Sequence, residues 1–119
     1  MKSHMANRFR GEIDAVIDGE RRILCLTLGA LAELETAFGA GDLVVLAERF
    51  QNGRMSARDI LLIVACGLRG GGADVTNDDA ARMRVDGGLH GFVRIAADLI
   101  AATFGDGAAT PRPPAPQDA

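Results

Sequence analysis

From Phe9 to Thr27 apolar and polar positions alternate with the period of a strand: Ile13, Ala15 and Ile17 interleave with Glu12, Asp14 and Val16, and Arg21 to Thr27 follow Asp18-Gly19. Asp-Gly supplies the positive φ values of a type I′ turn, so the pattern predicts a β-hairpin. An isolated two-stranded ribbon is marginal in water, and this one must lie on helices or pair with another chain. Its outer edge is a candidate interaction site.

After Thr27 the period becomes helical. Leu31, Leu34 and Phe38 fall at i, i+3 and i+7, and Gly39 stands where a left-handed residue ends a helix. A second helix is expected from an Asp42 N-cap, with Leu43, Leu46, Ala47 and Phe50 on one face and Asn52-Gly53 as its stop. Ser56 and Asp59 form a capping-box pattern ahead of Ile60 to Leu68, a run with almost no polar face that should be the centre of the core. Gly70-Gly71-Gly72 breaks the chain, and Thr76 with Asp79 repeats the capping pattern for a short helix to about Val85. A last helix carries Leu89, Phe92, Val93, Ala96, Leu99, Ile100 and Thr103 at helical spacing up to Gly105. The expected fold is α+β, an N-terminal β-hairpin followed by a compact bundle of about four to five short α-helices.

The 119 residues suffice for one domain. Met1 to Met5 has the form of an expression-tag remnant, residues 6–105 are read as the domain, and all four prolines fall within Pro111 to Pro116, so residues 106–119 are expected to be a disordered Pro/Ala-rich tail.

Charge narrows the function. Thirteen Lys and Arg face sixteen Asp and Glu, without the basic stripe that neutralises phosphates, so nucleic acid is not an expected partner. No apolar run is long enough to span a bilayer, no leader follows Met5, and a cytoplasmic protein is expected. Cys25 and Cys66 stand alone in apolar stretches, as core thiols do.

Catalytic chemistry finds few residues to use. Outside the first five residues the histidine is His90 and the serine is Ser56, which the cap employs, so no nucleophile and base come together. Asp78-Asp79 is explained by the first turn of a helix, where carboxylates offset the dipole, rather than by a metal. The Gly70 to Gly72 run follows a helix, lacks the lysine of a phosphate loop, and fits a linker or C-cap. The absence of Trp and Tyr removes the usual aromatic platforms for bases, sugars and cofactor rings. No catalytic, cofactor-binding or metal residues are assigned, no cofactor is expected, and the chain is read as an interaction protein.

Leu26-Thr27-Leu28-Gly29-Ala30-Leu31-Ala32-Glu33-Leu34-Glu35, running directly out of the hairpin, resembles the gene transfer agent and phage tail-assembly chaperone family, also described as a tail tube family. Asp42-Leu43, Ser56-Ala57-Arg58-Asp59-Ile60, Cys66 to Gly72 and the final amphipathic helix continue the resemblance from Phe9 to Gly105. It implies a chaperone that binds the tape-measure protein and keeps it soluble during tail assembly, in the cytoplasm of a bacterial host. The alternative is a structural tail tube or tail component of a gene transfer agent or prophage particle. Partners would be the tape-measure protein, the major tail tube protein, or both, and self-association stays open. Leu31, Leu34, Phe38, Leu43, Leu46 and Phe50 are the candidate partner-binding residues, on stripes that core packing explains first.

Overall fold

A computed structural model describes residues 6–7, 10–39 and 43–104. The expected tag remnant, Phe9, the Asp42 cap and the Pro-rich tail lie outside the described residues. The fold is α+β: strands β1 (Glu12–Ile17) and β2 (Glu20–Cys25), then helices α1 (Leu28–Phe38), α2 (Leu43–Gln51), α3 (Ala57–Gly70), α4 (Asn77–Ala81) and α5 (Leu89–Phe104).

The strands pair antiparallel with Ile13 opposite Leu24 and Ile17 opposite Glu20, across a turn in which Asp18 and Gly19 have φ of 56° and 76°. Both positive values are those of a type I′ turn, which matches the twist of the strands. Ile13, Ile17 and Leu24 turn their side chains to one face and are buried there. That face lies on α3 and α5, which answers the need of a two-stranded ribbon for a helical layer.

Helices α1, α3 and α4 start where their caps direct. Thr27 Oγ1 accepts from Ala30 N–H at 3.1 Å, and Gly39 ends α1 in the left-handed region at φ 66°. Ser56 and Thr76 each complete a capping box, with Asp59 and Asp79 accepting back from the cap's own N–H. The expected helix to Val85 stops at Ala81. Its continuation is held out of helical geometry by the hairpin turn: Arg84 N–H donates to Asp18 Oδ1 at 2.8 Å and Asp18 N–H donates to Arg84 O at 2.7 Å.

Helix α3 is the centre of the core, with Ile60 and the run from Ile63 to Leu68 buried. Around it close Leu26, Ala30, Leu34, Leu46, Ala47, Ala96, Leu99 and Ile100. Its glycines set how near it comes to the hairpin. A Cβ at Gly67 would overlap the Leu99 side chain, and one at Gly70 or Gly71 would overlap Cys25 O or Ile23 O respectively. The glycine run therefore caps α3 and also lets its C-terminus press against the β2 backbone. Arg69 secures the same end, donating to Glu33 Oε2 at 2.8 Å, Asn77 Oδ1 at 3.0 Å and Val75 O at 3.1 Å.

Cys66 is fully buried, whereas Cys25 is only partly covered on the outer side of the hairpin, so the expectation of two core thiols holds for Cys66 alone.

Candidate functional site

The stripe residues singled out from sequence separate by depth. Leu34 and Leu46 are buried in the core at 0% and 1% exposure. Leu31, Phe38 and Phe50 are half-buried and pack against that core with part of their surface open. The Leu43 side chain lies outside the described residues, although its backbone opens α2. Of these, Phe38 reaches a surface concavity, and the Arg49 guanidinium sits 5.6 Å from its ring centroid, within cation–π range.

That concavity is a trough across the N-terminal half of α3. One part, about 660 Å³, is lined by Ala37 and Phe38 from α1, Arg58, Asp59, Leu61 and Leu62 from α3, and Asn77, Asp78 and Ala81 from α4. The adjoining part, about 440 Å³, is lined by Ala57, Arg58, Leu61, Gly88, Leu89 and Phe92. Arg58 and Leu61 line both, so the two parts adjoin along α3. The α5 end is the more apolar, with Leu89 more than half exposed; the α4 end carries the carboxylates of Asp59 and Asp78 at its rim. A floor of Leu and Phe side chains with a charged rim is what the apolar face of an amphipathic helix needs from a partner.

Leu61, Leu89 and Phe92 were assigned by pattern to core stripes. Leu61 lies in an unbroken apolar run, where periodicity cannot say which side a neighbouring helix covers; Leu89 and Phe92 begin the α5 stripe across from Ala57, Arg58 and Leu61 at the start of α3. Leu28, Val44 and Val45 are further apolar side chains left in solvent on α1 and α2. The excess of apolar residues at the starts of α1, α2 and α5 was the one signal available in the sequence.

The polar groups singled out as candidate chemistry divide between solvent and caps. His90 is exposed. Thr76 N–H donates to the Asp79 carboxylate at 2.9 Å, and this bond, with the Thr76 hydroxyl contact, holds the Asp79 pKa below the usual carboxylate value. Burial, with Glu33 nearby, pushes the Cys66 thiol up to about 11 against the opposing pull of Arg69, so Cys66 is a protonated thiol at neutral pH. Among the described residues, no group of three or more His, Cys, Asp and Glu side chains converges on a point where a metal ion could sit.

No helix among the described residues is long and apolar enough to cross a membrane. No curated protein and no solved structure matches the chain. One family model does, over residues 10–106, and its description is "Phage tail tube protein, GTA-gp10". The match takes in the hairpin, all five helices and the trough between them, and the chain belongs to this gene transfer agent and phage tail family.

Proposed function

We propose that the chain is a tail assembly chaperone of a phage-like gene transfer agent particle, which binds the tape-measure protein and keeps it soluble until tube subunits close around it. The observation that carries this reading is the pair of adjoining concavities over α3, whose Phe38, Leu61, Leu89 and Phe92 offer apolar surface beyond what the core consumes. A long helical client exposes amphipathic faces, and such a trough shields one face at a time. Several copies along one client act by avidity, so each contact stays weak enough to be displaced when the tube forms. Of the residues singled out from sequence, Phe38 enters this surface, Leu31 and Phe50 pack half-buried against the core, and Leu34 and Leu46 belong to that core. The excess of acidic over basic residues keeps the complex dispersed. The protein acts without catalysis or cofactor, in the bacterial cytoplasm.

A structural tail component is the second reading, favoured by the family's description as a tail tube protein. Co-expression with the tape-measure protein encoded nearby separates the two. The chaperone reading expects a soluble complex that Leu61→Glu and Leu89→Glu weaken, and no copies in finished particles. Stoichiometric recovery of the protein from purified particles overturns it.

A further inference from the structure

The hairpin has two edges, and among the described residues only the β2 edge is covered along its length. Because its turn has two residues, Ile17 and Glu20 close the ladder as a hydrogen-bonded pair. The backbone groups of Glu12, Asp14 and Val16 then point away from β2, and those of Arg21, Ile23 and Cys25 point away from β1. On the β2 side Gly71 and Gly70 lie against Ile23 O and Cys25 O. On the β1 side Glu12 N–H donates to Asn7 O at 3.0 Å, and among the described residues no backbone group outside the hairpin meets Asp14 or Val16. The open stretch lies between that bond and the one joining Asp18 N–H to Arg84 O.

Beneath the open edge there is unused floor. Two packed helices span about 10 Å between axes, whereas two strands are about 4.8 Å apart, so a layer made of α3 and α5 is wider than the ribbon upon it. With the α3 end closed over β2, the surplus falls on the α5 side. There a groove of about 630 Å³ runs between Ile13, Asp14 and Ala15 of β1 and Arg94, Ile95, Ala97 and Asp98 of α5.

We infer that β1 accepts one further strand in this groove from an extended segment of a partner protein, with apolar side chains facing α5 and basic side chains on the outer face. Charge selects the basic residues. Glu12 and Asp14 lie side by side on the outer face of β1, opposite Cys25 and Ile23, and Arg21 Nε donates to Asp14 at 2.7 Å. Basic residues on an added strand would stand directly across from both carboxylates. Two features argue against a second copy as occupant. Its β1 would bring carboxylates against carboxylates, and its α5 would have to enter the space that α5 already fills. The docking is independent of the trough over α3 and extends the protein's binding capacity beyond the proposed helical client.

The test uses the full chain, isotope-labelled, with a short peptide alternating Val and Lys, and one alternating Val and Glu as control. Amide exchange at Asp14 and Val16 should slow by about tenfold or more with the Val–Lys peptide and stay unchanged with the Val–Glu peptide. Asp14→Lys should reverse that preference. Val16→Pro, which removes an outward N–H while sparing the bonds to β2, should abolish the slowing at Asp14. Unchanged exchange with both peptides overturns the inference, as does equal slowing by both. Slow exchange at these amides in the free protein also overturns it: a concentration-dependent effect would assign the edge to a second copy, and a concentration-independent one to another segment of the same chain.

Discussion

At the scale of single residues, the glycines of α3 show how an absent side chain can organise a fold. Gly70→Ala and Gly71→Ala each place a Cβ onto a carbonyl of β2 that cannot rotate aside, and each is expected to lower stability by about 1–3 kcal/mol in urea unfolding. Gly29→Ala is the contrasting substitution. It lies inside α1 with only Thr27 Oγ1 at 3.9 Å from the new methyl, and helix propensity should make it stabilising by up to about 1 kcal/mol. The two thiols differ in the same local way: Cys25 is expected to react with iodoacetamide in the native protein, while Cys66, fully buried and titrating near 11, should react only on unfolding. None of this depth information was legible beforehand. A glycine after a helix looks the same in sequence whether it merely ends the helix or also admits a neighbouring strand.

Caps and turns are short-range devices, and at the scale of elements they were legible almost to the residue. Asp18-Gly19, Thr27, Ser56 with Asp59, and Thr76 with Asp79 each do in the structure what their local chemistry requires. Thr76→Ala should cost about 1 kcal/mol by removing the hydroxyl that receives the Asp79 N–H. Asp79 adds a pH signature. Its carboxyl pKa is depressed in the folded state, so its stabilising share is present above the unfolded carboxylate pKa and disappears as pH falls through the folded value. Asp79→Asn is therefore expected to flatten the acid limb of a stability–pH curve measured by circular dichroism. The α4 boundary was missed for the opposite reason. Arg84 exchanges hydrogen bonds with Asp18, a residue far away in the chain whose influence no local window contains.

For the whole molecule, the buried cluster draws on both strands and on α1, α2, α3 and α5, with α4 contributing Ala80 nearby. A core shared so widely predicts one cooperative unfolding transition, with loss of helical circular dichroism and exposure of Cys66 coinciding in denaturant; two separated midpoints would contradict it. The hairpin-plus-helices architecture could be read from periodicity because each apolar stripe had to bury somewhere. The trough could not, since Leu61 and Leu62 sit in the same apolar run as Ile60 and Ile63 and differ from them only in what packs opposite. Whether a stripe becomes floor or interior depends on how many helices surround α3, and here the wall stays incomplete between α1, α4 and the start of α5.

The close seat of Gly71 on β2 also bears on how this chain could fail. Were a bulkier residue such as Val to lever α3 away there, the carbonyls of Ile23 and Cys25 would be released while Asp14 and Val16 remain open on the opposite side. A ribbon open along both margins can template itself indefinitely. A Gly71→Val protein is thus expected to convert on standing into thioflavin-positive fibres, a fate that the missing methyl at this position guards against.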